Sequence, residues 1–148
     1  MDRMLNQMTG KIWRISALAG ALVLAVISAA DAQTASLAAH LFGNSVVPQT
    51  KSDAYGEAQF TYDSETRQLD YYVTYDGAAP TRIDLHGPAA PGENAGAVAV
   101  FSVSESPVTG KVTLTPEQAN VLLAGKMYVD LHSQAYANGE IRGQIQKH

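Results

Sequence analysis

From residue 35 onward, apolar and polar side chains alternate with a period of two, the pattern of half-buried strands. Ala58, Phe60 and Tyr62 alternate with Glu57, Gln59 and Thr61. Leu69, Tyr71, Val73 and Tyr75 alternate with Gln68, Asp70, Tyr72 and Thr74. The polar run Asp63-Ser64-Glu65-Thr66 between them suits a hairpin turn. Ile83 and Leu85 alternate with Arg82, Asp84 and His86 before the breaker Gly87-Pro88. Met127, Val129 and Leu131 alternate with Tyr128, Asp130 and His132, and Ile141 and Ile145 with Glu140, Arg142 and Gln144. Further strands are predicted over 36–41, 97–103 and 108–114. Ile83, Leu85, Val129, Leu131, Ile141 and Ile145 are the expected core.

One helix interrupts the series. Thr115-Pro116-Glu117-Gln118 offers an N-cap, a proline at the first helical position and a glutamine placed to close a capping box. Ala119, Leu122 and Leu123 form one apolar stripe, and Gly125 supplies a left-handed stop. About eight short strands and a single helix predict a β-sandwich or flattened barrel, with no second domain.

The first 32 residues read differently. Arg3, Lys11 and Arg14 precede an uncharged run of 13 residues, Ile15 to Ile27, and Ala30-Asp31-Ala32 matches a signal-peptidase site. The run is well short of the ~20 residues that span a bilayer. Residues 1–32 are therefore expected to be a removable signal peptide, with residues 33–148 the mature domain, periplasmic or extracellular, without a membrane span. Without its charged residues (Asp2, Arg3, Lys11, Arg14, Asp31) the remainder carries 7 basic and 12 acidic side chains, a net of −5. That balance argues against nucleic acid as a partner. The absence of cysteine excludes a disulfide scaffold, a zinc–thiolate site and a cysteine nucleophile. No phosphate-binding glycine loop, G-x-S-x-G elbow or H-E-x-x-H helix is present.

Asp-Leu-His occurs twice, as Asp84-Leu85-His86 and Asp130-Leu131-His132. On a strand, residues i and i+2 share a face, so each Asp and His project together, away from the core leucine and onto the polar side of the sheet. If the two strands are neighbours in register, Asp84, His86, Asp130 and His132 converge as an N₂O₂ set able to hold Zn²⁺ or Cu²⁺. The competing reading is structural: Asp84 or Asp130 pairs with Arg142 or Arg82 across strands, and His86, beside Gly87-Pro88, donates to a turn carbonyl. His40 and His148 are read as incidental. Tyr71 and Tyr75 share the apolar face and fill the core, although Tyr71, Tyr72, Tyr75 and Tyr128 could together form a stacking surface.

Several motifs then occur in a telling order. Leu41-Phe42-Gly43-Asn44 leads to Val46-Val47-Pro48, Ala54-Tyr55-Gly56-Glu57-Ala58 and Ile83-Asp84-Leu85-His86-Gly87-Pro88-Ala89. Leu114-Thr115-Pro116-Glu117-Gln118, Tyr128-Val129-Asp130-Leu131-His132-Ser133 and Asn138-Gly139-Glu140-Ile141-Arg142-Gly143-Gln144-Ile145 follow. Over residues 35–146 the chain resembles the CHRD domain, the module named after chordin, in its exported bacterial single-domain type. The resemblance implies an all-β, immunoglobulin-like Greek-key β-sandwich of about eight strands with one short helix, outside the cytoplasm. In chordin the module sits beside regions that bind secreted growth factors, whereas the bacterial versions mostly have no assigned activity. Family members commonly carry His-x-His before Gly-Pro, where this chain has Asp84, and Asn where it has Asp130.

Two functions follow as expectations. One is a non-catalytic exported module that binds a protein, a glycan or an envelope component, with no cofactor. The other is a copper- or zinc-binding, or metal-dependent redox, protein built on the paired Asp-x-His strands. The exported protein is expected to begin at Gln33 and, having lost Trp13, to lack tryptophan fluorescence. Its intact mass checks this, and retention of residues 1–32 would overturn it.

Overall fold

The computed structural model describes residues 33–148, so the expected signal segment lies outside the described residues. The elements are β1 (Thr34–Phe42), β2 (Tyr55–Asp63), β3 (Gln68–Asp76), β4 (Pro80–His86), β5 (Ala97–Phe101), β6 (Val108–Thr113), α1 (Pro116–Leu123), β7 (Tyr128–Ser133), β8 (Ile141–Gln144) and β9 (Gln146–Lys147). Local chemistry accounts for the joints. Asp63 Oδ1 accepts from the amides of Glu65 and Thr66 at 2.9 Å each, which closes the β2–β3 hairpin where the pattern placed it. The capping box of α1 forms in both directions: Thr115 Oγ1 accepts from the Gln118 amide at 3.2 Å, and Gln118 Oε1 accepts from the Thr115 amide at 2.9 Å.

All the strands belong to one hydrogen-bonded sheet in the order β5-β4-β7-β8-β1-β2-β3-β6, with β9 added beside β1. The all-β content with one helix is as the pattern predicts. The partition into two sheets that an immunoglobulin-like Greek-key sandwich requires is not what the ladder has. β1 is the reason. It pairs along its whole length with β2 on one side and at Phe42 with β8 on the other, which joins the β4–β7–β8 half to the β2–β3–β6 half. Tight contact is needed at that junction: a Cβ on Gly143 of β8 would lie 2.6 Å from the carbonyl oxygen of His40 on β1.

The sheet curls until its two ends face each other, a nearly closed barrel. Phe101 of β5 stacks on Tyr71 of β3 with ring centroids 3.9 Å apart and lies 6.5 Å from the Phe60 ring of β2. The six expected core residues are all fully buried, and Ala119 and Leu122 of α1 pack into the same core. Tyr71 is buried there too, whereas Tyr75 is half-buried and donates to the Ser104 carbonyl at 2.8 Å.

Strands β1 to β3 keep one face in the core and one toward solvent, but β7 is buried at all six of its positions. Two layers cover it: the barrel core on one side, and on the other the segments that follow β4 and β7. This double burial positions the candidate site. Leu131→Ala, in the core layer of β7, is expected to destabilise the protein by ~2–5 kcal/mol, measured as a shift in the denaturation midpoint. A negligible shift would mean the strand does not bury that face.

Candidate metal centre

β4 and β7 are antiparallel neighbours, and the register sets Asp84 directly opposite Asp130, with Arg82 opposite His132 and His86 opposite Tyr128. The two Asp-Leu-His triplets therefore meet on one face of one sheet, opposite the core leucines. That face is not the solvated side that alternation suggests. Asp84 is 1% exposed, His86 9%, Asp130 6% and His132 6%.

Backbone carbonyls of the covering segments hold both imidazoles. His86 Nδ1 lies 3.0 Å from the Ala95 carbonyl, and His132 Nδ1 lies 3.0 Å from the Ala137 carbonyl. A carbonyl only accepts, so each Nδ1 carries the proton and each Nε2 of a neutral ring presents a lone pair. Both Nε2 atoms point at one carboxylate oxygen. Asp84 Oδ2 lies 3.3 Å from His132 Nε2 and 3.6 Å from His86 Nε2, and Asp130 Oδ2 lies 3.9 Å from His132 Nε2. Neither Nε2 has a hydrogen-bond partner, nor does Asp84 Oδ1 or Asp130 Oδ1, and all four atoms are shut off from solvent. One ligand atom from each of Asp84, His86 and His132 falls within 4.8 Å of the other two. Asp130 is beside this triple rather than in it.

Converging lone pairs repel unless a proton or a cation sits among them. Protonating His86 is disfavoured, because burial lowers its pKa against the opposing pull of the Ala95 carbonyl and Asp84. A divalent ion among these atoms would resolve the conflict. With zinc–nitrogen and zinc–oxygen bonds of ~2.0–2.1 Å at tetrahedral angles, ligand atoms sit about 3.3–3.4 Å apart, close to the separations around Asp84 Oδ2.

The surroundings complete the site and bear on the structural alternative. Arg82 Nε donates to Asp84 Oδ2 at 2.7 Å, along its own strand and not across strands. Arg142 stands directly opposite Asp130 on β8, but its guanidinium lies over the Tyr128 ring, 3.5 Å from the centroid. Tyr128 in turn stacks on His86 with centroids 4.8 Å apart. Asp130 is walled in by Gly139, whose φ is +115°; a Cβ there would lie 2.7 Å from each Asp130 oxygen. The Tyr128–Arg142 stack, Gly139 and the carbonyl that accepts from His132 escaped the sequence reading, whereas a turn carbonyl accepting from His86 was expected and is the one of Ala95. Gly139 and Arg142 belong to the Gly139-Glu140-Ile141-Arg142-Gly143 run that the sequence singles out. His40 pairs with Glu57 at 3.6 Å on the surface, remote from the cluster in register.

Burial raises the Asp130 pKa from 3.8 to about 7; Arg142 opposes this and the Asp84 charge adds to it. Between those values the folded state holds a proton that the unfolded state has released, so stability falls as pH rises across the window and is level above it. In chelator, the melting temperature of the native chain is therefore expected to decline from about pH 5 to about pH 7.5 relative to Asp130→Asn. His86 is common to both proteins and cancels. Parallel profiles would show that Asp130 ionises as an exposed carboxylate does.

The fold and this geometry can be set against known proteins. No curated protein and no solved structure matches the chain. The family model of the CHRD domain matches residues 37–145, from the middle of β1 to the end of the core beyond β8. The chain belongs to the CHRD domain family.

Proposed function

We propose that this chain is an exported bacterial single-domain member of its family, a non-catalytic module outside the cytoplasm that holds one divalent ion, zinc or copper. Asp84, His86 and His132 are the ligands, with Asp130 as the fourth group. The module meets a protein, glycan or envelope component through its loops. The observation that carries the metal reading is the pair of buried Nε2 atoms, each fixed as a lone pair by a carbonyl at Nδ1 and each aimed at Asp84 Oδ2. Hydrogen bonding of the second ring nitrogen to a backbone carbonyl is what metal-bound histidines use to fix their tautomer.

A structural ion fits better than a redox or hydrolytic centre. A catalytic metal keeps one position open to substrate. Here the ligand atoms are sealed beneath the segments carrying Ala95 and Ala137, and no reactant reaches them without moving both. The ion joins β4 to β7 and tethers two covering loops, which suits an exported domain without disulfides. Among the described residues no helix is long and apolar enough to cross a membrane.

The mature protein, purified without added metal and titrated with Zn²⁺ or Cu²⁺ by calorimetry, is expected to bind one ion per chain. At a free-ion concentration 100 times Kd the ion should add about 2.7 kcal/mol of stability, read as a higher melting temperature. The double substitution His86→Ala and His132→Ala is expected to abolish uptake while the far-ultraviolet strand signal persists. No heat and no thermal shift with either ion would remove the metal reading.

A further inference from the structure

Leu41-Phe42-Gly43-Asn44 and Ala54-Tyr55-Gly56-Glu57, two motifs singled out in the sequence, meet at one end of the β1–β2 ladder. Phe42 stands directly opposite Tyr55, so both rings project from the outer face of the sheet, away from the core. Phe42 is 47% exposed and Tyr55 53%, whereas Leu41 and Ala54 beside them are buried. The core uses neither ring.

Beside the rings, residues 50–54 close a cleft of about 450 Å³. It is lined by Phe42 and Tyr55 together with Asn44, Lys51 and Asp53, all five exposed. The 50–54 segment has no regular structure, yet it is held tightly. The Thr50 amide donates to the Gly43 carbonyl at 3.0 Å, Thr50 Oγ1 to the Glu140 carbonyl at 2.8 Å, and Ser52 Oγ to Glu140 Oε1 at 2.7 Å. It also lies so close to Gly43 that a Cβ there would be 2.6 Å from Thr50 Oγ1. The cleft is therefore preformed. Thr50 and Ser52 hold its wall, while two rings, an amide, a carboxylate and an ammonium are left facing water.

We propose, resting on the reading of the chain as a binding module, that this cleft binds a glycan chain of uncharged or amino sugars. A pyranose ring has a flat face of C–H bonds that packs on an aromatic ring, and a rim of hydroxyls that donate and accept. Phe42 and Tyr55 meet the first need. For the second, Asp53 accepts, Lys51 donates and Asn44 does both. Asp53, Glu57 and Asp76 outnumber Lys51 around Tyr55, which disfavours anionic sugars. The same face continues along β2: His40 and Glu57 pair at 3.6 Å in the next row, and Tyr72, 45% exposed, stands beside Gln59 in the row after. Tyr72 is thus about 13 Å along the strands from Tyr55, at ~3.3 Å per residue, and gives a longer chain a second ring to lie on. A protein partner fits less well, because polar rows separate these rings and leave no contiguous apolar patch for an interface core.

The test is ¹⁵N NMR titration of the exported protein, zinc-loaded and in chelator. The probes are cellobiose, cellohexaose, the hexamers of N-acetylglucosamine and of glucosamine, hexagalacturonate and a proline-rich peptide. Saturable shifts at the amides of Gly43, Asp53 and Tyr55 are expected with the uncharged or amino-sugar hexamers and not with hexagalacturonate. Tightest binding of the glucosamine hexamer identifies an amino-sugar chain as the source, and tightest binding of cellohexaose or the N-acetylated hexamer an uncharged one. Tyr55→Ala, at an exposed position, should weaken binding about three- to tenfold, the range for one stacked ring, and Tyr55→Phe should retain it. Tyr72→Ala should weaken the hexamers but not cellobiose. No saturable shift with any of these sugars at millimolar concentration, or equal binding of hexagalacturonate, would overturn the proposal. Binding of the proline-rich peptide alone, as aromatic-lined peptide grooves show, would also overturn it while leaving the binding-module reading in place. None of these outcomes touches the metal titration.

Discussion

The register between β4 and β7 is the constraint on which the site depends. Placing Asp84 against Asp130 sets two carboxylates side by side in a buried layer, where like charges are costly. A slip of β4 by one residue against β7 would turn Leu85 into that layer and Asp84 into the core. The leucines therefore fix the register, and the register imposes the electrostatic problem. Arg82 relieves part of it at Asp84, and the raised pKa of Asp130 relieves another part. The convergence of both Nε2 lone pairs on Asp84 is relieved by neither.

The covering loops turn this local problem into a property of the fold. Ala95 and Ala137 belong to segments without regular structure, yet each places its carbonyl 3.0 Å from a histidine nitrogen. Gly139 lets the second segment lie directly on Asp130, as its left-handed φ and the missing Cβ permit. β7 is thus sandwiched between core and loops, which is why its burial departs from the simple alternation that β1 to β3 keep.

The strands and the helix were largely legible because each rests on local signals. Alternation in 57–62 and 68–75, the Asp63 turn and the Thr115–Gln118 capping box need no knowledge of distant residues. Strand order needed such knowledge. Alternation says which face of β1 is buried but not that β1 pairs with both β2 and β8, and so it leaves open whether the strands split into two sheets or curl as one. The repeated Asp-Leu-His placed four polar side chains on one face for the same local reason, i and i+2 on a strand. Their burial was not legible, because it comes from Ala95, Ala137 and Gly139, whose sequence positions carry no pattern pointing back at the strands. Arg142 was legible only as a possible partner for an acid. Its place over Tyr128 follows from the β7–β8 register, which sets Tyr128 opposite Gln144 and Asp130 opposite Arg142.

One loop links the histidine cluster to Arg142. Ala95 fixes His86 through its carbonyl, and the adjacent Asn94 holds Arg142 and the Val47 carbonyl. The Tyr128 hydroxyl donates to the same Ala95 carbonyl at 3.2 Å, while its ring is stacked between His86 and the Arg142 guanidinium. Whatever orders His86 therefore orders Ala95, and with it Asn94 and the stack on which Arg142 rests. The chain thus concentrates its unresolved polar groups in one layer over β4, β7 and β8. The opposite face of the same strands is an ordinary hydrophobic core, which holds that layer in place.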